Sequence, residues 1–271
     1  EPVLLRLFFF VGTFNFFSCD VDYYSYLVSL LPRDLECHYF DSIESTNQFL
    51  SNRPFSNNTE LCVARQQTQG KGQYGRTWQS QKDGSILFSI RRSFSQECNL
   101  NGLSLVVGLA IIKALEGELS VSGMTIKWPN DIYYDNKKLA GILLENQTYP
   151  SNQLVVIGVG VNYALNEDMV CETPWIDLTE LAKKLPSISN LTASIINHTL
   201  ALTERFELNG FADFQMDWER YDMLKGKQIS FEREGNSITA EVLGVSSNGA
   251  LKVFAQNKVE ELYSSRNINY I

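Results

Sequence analysis

The stretch between Thr125 and Val161 constrains the fold of this chain more than any other. It offers strand candidates over 125–128 continuing into 132–134, over 138–145 and over 154–161. Asp135-Asn136, residue types that tolerate a left-handed backbone, join the first of these to the second as a hairpin. Upstream, the spacing predicts a mainly apolar helix over 103–115, with Leu103, Val106, Val107, Ala110, Ile111 and Leu115 on one broad face. Strands are expected over 35–43, 61–64 and 85–91, and Ser45-Thr46-Asn47 opens a short helix through Leu50, because such residues cap helices well.

Downstream, Thr173 followed by Pro174 looks like a cap and a first helical residue. Helices are expected over 175–185 and 192–209, with a shorter one near 211–221. The texture changes after Leu224. Short strands are predicted over 228–233, 237–246, 250–255 and 259–263, with turns at Gly235-Asn236 and Asn248-Gly249. That spacing reads as a small SH3-like β-barrel. The expected organisation is an apolar arm over 1–35, a large mixed unit over 36–223 and a β-domain over 224–271. The arm is Phe-rich from Leu4 to Phe17, too short to span a bilayer and broken by Arg6, Gly12 and Asn15.

Composition narrows the chemistry. The net charge of -8 argues against a chain whose main task is gripping nucleic acid. The cysteines number five, an odd count, with no C-x-x-C pair, so neither a disulfide framework nor a zinc site is expected, and a cytoplasmic location fits. With only 2 histidines, a His-based triad or multi-His metal centre is nearly excluded. Catalysis in such a chain rests on lysine, carboxylate and backbone electrostatics.

The segment Gly70-Lys71-Gly72-Gln73-Tyr74-Gly75-Arg76 packs glycines and cations together. Glycines let backbone N–H groups approach an anion and cations neutralise phosphate. The order matches neither a P-loop nor a Rossmann turn. Taken alone, it is equally compatible with a surface loop. Lys127-Trp128-Pro129-Asn130-Asp131 sets a cation, an aromatic, an amide and a carboxylate at a proline-broken strand joint. Lys138 leads the apolar run Leu139-Ala140-Gly141-Ile142-Leu143, where a solvated edge lysine is the plain alternative. Gly158 and Gly160 interrupt the strand ending at Asn162, which implies close approach of a ligand or backbone, or simply tight strand packing.

These segments, with Ser45-Thr46-Asn47 and Trp78, occur in an order that resembles the biotin–protein ligase family from about Glu36 onward. The resemblance implies an α+β fold: a mixed-sheet catalytic domain of the class II synthetase/biotin ligase type with the small C-terminal barrel. It implies ATP-dependent formation of biotinyl-5′-AMP and transfer of biotin to a lysine of a biotin carboxyl carrier protein of acetyl-CoA carboxylase. Ser45, Thr46, Asn47, Gln67, Lys71, Gly72, Gln73, Lys138 and Gly141 would form the biotin site, with an apolar channel around Ile142 and Val159. Gly70, Lys71, Gly72, Gln73, Arg76, Trp78, Asn130, Asn162 and Lys138 would hold the adenylate. Lys138, Lys71, Arg76 and Lys127 would offset the charge of two approaching anions, with Mg²⁺ on the ATP phosphates and no dedicated metal site. Asp131 would orient the attacking amine.

The chain departs from the family's Gly-Arg-Gly-Arg-x-Gly-Arg loop at Lys71 and Gln73, and the second change removes a charge. The residues before Glu36 show no helix-turn-helix pattern, so DNA binding is not expected. A homodimer formed by sheet-edge pairing is an open expectation, and no membrane association is expected. Lipoate–protein ligases share the chemistry, but their substrate has no ureido group. A binding module without catalysis is the remaining alternative.

Overall fold

The computed structural model describes residues 15–17, 21–166, 168–171 and 173–270. The apolar arm from Leu4 to Phe14 lies outside them. From the N-terminus, β1 (Asn15–Phe17), α1 (Val21–Ser29), β2 (Glu36–Phe40), α2 (Thr46–Ser51), β3 (Glu60–Ala64) and β4 (Ser85–Ser95) come first. Next are α3 (Leu103–Leu119), β5 (Thr125–Lys127), β6 (Asp131–Tyr134), β7 (Lys137–Thr148) and β8 (Asn152–Asn162). Then α4 (Leu178–Leu181), α5 (Ile188–Asn209) and α6 (Gln215–Glu219) lead to β9 (Gln228–Arg233), β10 (Asn236–Val245), β11 (Leu251–Ala255), β12 (Lys258–Leu262) and β13 (Ile268–Tyr270).

Strands β1 to β8 form one eight-stranded sheet in the order β1-β2-β3-β4-β8-β7-β6-β5. It is mixed: β1–β2 and β2–β3 pair parallel, while every other neighbour is antiparallel. The hairpin joining β6 to β7 turns at Asp135 (φ 47°) and Asn136 (φ 58°), as the sequence predicts. Strands β9 to β13 form a separate five-stranded antiparallel sheet in the order β12-β11-β10-β9-β13. The final strand was not expected: β13 has little pattern of its own and is defined by pairing with β9. One apolar core runs through both sheets, from Tyr24 and Leu27 of α1 through α3 and α5 to Ile229 and Val253. The later part of the expected arm packs against the fold, with Tyr24, Leu27, Leu31 and Leu35 buried in that core.

The two faces of the main sheet differ. Period-two alternation sends Ile86, Phe88, Ile90, Ile157, Val159 and Val161 into the core shared with α3 and α5. On the other face, the register aligns Ser89 with Gly158 and Leu143, and Leu87 with Gly160 and Gly141. The small residues of that face leave room above the sheet for α2 and the glycine loop.

The region after β8 differs from expectation. Of the helix expected over 175–185, only the short α4 (Leu178–Leu181) forms. Lys138 N donates to Pro174 O (2.9 Å) and Ile176 N donates to Lys138 O (3.0 Å), so this segment pairs with the start of β7. Thr173 caps nothing. Asp177 caps the short α4, its Oδ1 accepting from Thr179 N at 3.0 Å. A ladder to a residue distant in sequence overrides a local helix signal.

Beneath α2 lies a buried ion-pair network. Glu60 accepts from Arg91 and from Arg53, and His38 Nε2 lies 3.3 Å from its Oε2. Arg91 Nη1 also donates to Leu50 O (3.1 Å) and Arg53 O (3.0 Å), which ties the end of α2 to β4. Glu36, His38 and Glu60 are close enough to resemble a metal cluster, but two guanidinium groups already neutralise the carboxylates.

Candidate active site

A cavity of about 490 Å³ opens between α2, the glycine loop, the ends of β7 and β8 and the segment near residues 165–175. Ser45, Thr46, Asn47, Gln67, Lys71, Gly72, Gln73, Arg76, Trp78, Asn130, Asp131, Lys138, Gly141 and Asn162 all line it. Of the residues named from sequence, Gly70 and Lys127 do not. Gly70 closes the neck of its loop, where its carbonyl accepts from Trp78 N at 2.9 Å.

One end of the cavity is neutral and fixed. Ser45 starts α2, its Oγ accepting from Gln48 N at 3.4 Å. Gln67 Oε1 accepts from Thr46 N (2.7 Å) and Thr46 Oγ1 (2.9 Å). Ser89 Oγ lies 2.7 Å from Thr46 Oγ1 and 2.6 Å from Asn47 Oδ1. Asn47 Nδ2 donates to Glu145 Oε2 at 2.9 Å. Asn47 is thereby committed to the scaffold, while the Ser45 hydroxyl proton, the Gln67 amide N–H groups and a Thr46 lone pair stay open to a neutral polar ligand. Sequence reasoning missed Ser89 and Glu145. A lone serine in the apolar run Ile86-Leu87-Phe88-Ser89-Ile90 was the available signal, because a buried hydroxyl needs a partner.

The two strand glycines make room for side chains that lie on the sheet. A Cβ at Gly158 would stand 2.1 Å from Asn47 Oδ1, and one at Gly160 would stand 2.5 Å from Trp78 Cε2. The side chains of Asn47 and Trp78 take up the space a Cβ would need, and both glycines also line the cavity. Trp78 also lies over Gly141, and its Nε1 is buried without a hydrogen-bond partner. Ile142 and Val159 border the cavity, but their side chains belong to the core on the far face.

The other end is cationic. Lys138 Nζ makes a 2.8 Å ion pair with Asp131 Oδ1 and sits 5.4 Å from the Trp78 ring centroid. Asp131 is the single carboxylate among the lining residues. Lys71 and Arg76 are exposed on the loop, whose limbs are joined by Gly72 N donating to Arg76 O at 2.7 Å. Asn162 Nδ2 donates to Ile176 O (2.9 Å) and Lys138 O (3.2 Å), which leaves its Oδ1 free to accept. Asn130 Nδ2 donates to Ile142 O at 2.7 Å and holds the strand joint.

Lys127 turns toward the C-terminal sheet, its ammonium 3.6 Å from the Tyr270 ring centroid. Burial lowers its pKa, Asp131 opposes that shift, and the nearby charges of Lys138, Arg76 and Lys227 reinforce it. Trp128 bolts the same sheet on, its Nε1 donating to Gly249 O at 3.0 Å. The 127–131 box is thus a joint between the cavity and the C-terminal sheet. An elongated ligand with a neutral polar head and an anionic tail fits such a cavity.

Several known proteins are similar to this chain in sequence and fold. A model of the biotin/lipoate A/B protein ligase family matches residues 39–162. The bifunctional ligase/repressor BirA of Escherichia coli is 33% identical over 215 residues, covering 77% of this chain and 66% of its own length, so the chain spans just under two thirds of that relative. The biotin–[acetyl-CoA-carboxylase] ligase of Mycobacterium tuberculosis is 26% identical over 190 residues, 69% of this chain and 68% of that protein. A solved structure of the biotin protein ligase from Aquifex aeolicus in complex with biotin and ATP superposes with a TM-score of 0.71 at 25% identity, covering 87% of this chain and 99% of that one. The order of sequence motifs, the fold and these relatives agree: the chain belongs to the biotin–protein ligase family.

Proposed function

We propose that this protein activates biotin with ATP and transfers it to a lysine of a biotin carboxyl carrier protein of acetyl-CoA carboxylase. The observation that carries the reading is the polarity of one cavity, neutral and hydrogen-bonded at α2, cationic at Lys138 and the glycine loop. The ureido ring is assigned to Ser45, Thr46 and Gln67, with Asn47 shaping the pocket. The valeryl tail then runs over Gly158 and Gly160 toward Lys138. Lys138, Lys71 and Arg76 draw biotin's carboxylate and the α-phosphate of ATP together, and attack gives biotinyl-5′-AMP and pyrophosphate. Trp78 stacks near adenine and Asn162 Oδ1 accepts from its amino group. Mg²⁺ would be held by the ATP phosphates and would offset their charge, since the sole lining carboxylate, Asp131, is engaged by Lys138.

In the second step a carrier amine attacks the mixed anhydride and AMP leaves. Asp131 orients that amine and takes up its proton. The C-terminal five-stranded sheet is read as an SH3-like unit over 224–271 attached to a catalytic unit over 36–223. The edge of β7 beyond β6 is open to pairing with a second copy, a state that solution mass measurement checks. No helix among the described residues is long and apolar enough to cross a membrane. The deciding assay is pyrophosphate exchange with biotin or lipoate, followed by labelling of a carrier domain with ATP and Mg²⁺. Exchange with lipoate in place of biotin, or with neither, would overturn the reading.

A further inference from the structure

The tip of the glycine loop carries an unusual choice of residue. Tyr74 adopts φ 57°, ψ 33°, a left-handed conformation that bulky side chains disfavour. Its neighbour Gly75, at φ 77°, adopts the same region without strain. A glycine or asparagine would fit the Tyr74 backbone better, so the turn alone does not explain a tyrosine. The side chain does. Its hydroxyl reaches across to the C-terminal sheet, 3.1 Å from Ser265 Oγ and 3.4 Å from Ser264 Oγ.

The segment that receives it is itself anchored to the active site. A few residues on, Tyr270 of β13 donates its hydroxyl to Trp128 O at 3.0 Å and lays its ring against the Lys127 ammonium. Residues 264–270 therefore span the glycine loop at one end and the 127–131 box at the other. Those two boxes supply two of the three lining cations, Lys71 and Arg76, and the lining carboxylate, Asp131, and among the described residues the Tyr74 hydroxyl finds its hydrogen-bond partners in the C-terminal segment.

We propose that Tyr74 is a positioning residue, a latch through which the C-terminal sheet holds the cationic loop closed over the cavity. Closure is what brings Lys71 and Arg76 over the phosphates and excludes water from the adenylate. The latch acts through the loop and touches no reacting atom. This inference rests on the proposed ligase reading for its catalytic consequence, but the latch itself has a readout independent of catalysis.

Lys71 and Arg76 are trypsin sites that flank Tyr74 in the loop. In the ligand-free full chain, Tyr74→Phe should raise the rate of cleavage at these sites by about two- to tenfold, the range expected for losing one net hydrogen bond. The Ser264→Ala, Ser265→Ala double variant should do the same, and combining all three changes should add nothing further. In pyrophosphate exchange, both variants should raise the KM for ATP and hasten adenylate escape by similar factors, leaving the KM for biotin near the parent value. A merely structural tyrosine would shift the melting temperature without splitting the two KM values. Unchanged cleavage in Tyr74→Phe, or strictly additive effects of the two sets, would overturn the latch. If the parent chain activates no biotin, the ligase reading fails, while the cleavage comparison still decides the latch.

Discussion

The two ends of the cavity are built by opposite means. At the α2 end, Ser45, Thr46 and Asn47 are only 3%, 3% and 4% exposed; Thr46 and Asn47 are held by partners on other segments, and Ser45 caps the helix through Gln48 N. Beneath them, Arg91 and Glu60 fix the end of the helix to the sheet. At the other end, Lys71 and Arg76 are exposed on a loop with few ties to the main sheet. A rigid site recognises a neutral ligand because its donors and acceptors are already paid for in folding. An anion needs less exact placement, since charge acts over distance, and on the proposed reading the loop opens for ATP and closes afterwards. Recognition is therefore placed on regular elements and charge on a movable one.

The largest effect should come from the one cation that belongs to the rigid part. Lys138 leads β7 and is paired with Asp131, so Lys138→Ala removes a fixed charge from the reacting centre. Biotin activation should fall by about a thousandfold, with the circular dichroism spectrum and melting profile retained. Near-normal exchange in this variant would move the centre of charge stabilisation to the loop and break the contrast.

The second test attacks the foundation of the α2 end. Burial alone would raise the Glu60 carboxyl, but hydrogen bonds from His38, Arg91 and Arg53 more than reverse this and hold it at about 2. The folded value lies below the ordinary glutamate value of 4.5, so the contribution is complete above about 4.5 and is lost as pH falls toward 2. Glu60→Gln leaves the buried Arg91 guanidinium short of a counter-charge, weakens the hold on the half-buried Arg53, and should cost roughly 3 kcal/mol at neutral pH. Denaturant titrations of both proteins at pH 7 and pH 3 should show the gap narrowing in acid. A constant gap would mean that packing, not charge, anchors α2.

Glycine-to-alanine exchanges set the two ends side by side. At Gly158 a methyl group would push on Asn47 Oδ1 from 2.1 Å and break its contacts with Ser89 and Glu145. Gly158→Ala should raise the KM for biotin by an amount equivalent to about 1–3 kcal/mol, the usual range for overpacking. At Gly72 the same methyl would meet Arg76 O at an ordinary 3.4 Å, so Gly72→Ala should leave stability within about 0.5 kcal/mol. Equal sensitivity at the two positions would erase the distinction between rigid and movable ends.

What could be read from sequence follows the same division between local and distant causes. The cap at Ser45 and the turn at Asp135-Asn136 were legible because their determinants lie within a few residues. The cluster of site residues was legible from motif order, and fourteen of the named positions meet in one cavity. The pairing of residues 174–176 with Lys138 was hidden, because the partner lies in another strand and Thr173-Pro174 offers a credible cap. The purpose of Gly158 and Gly160 was hidden for a related reason. Their space is filled by Asn47 and Trp78, residues far away in the chain. Ser89 shows that one polar residue in an apolar strand can be as informative as a motif, once its hydroxyl is asked to find a partner.

The smallest expected effect concerns the charge that the loop lacks. Gln73 lines the cavity next to Tyr74, where the family pattern carries an arginine. It is partly exposed, so a charge added there acts through solvent and is screened by salt. Gln73→Arg should therefore slow escape of biotinyl-AMP only modestly, by about two- to fivefold at low ionic strength. Raising the salt should bring the two proteins together, because a screened charge loses its hold while a fixed hydrogen bond does not. Trapping of released adenylate across a salt series measures both. Equal escape rates at low salt would show that retention depends on loop closure rather than on the number of charges the loop carries.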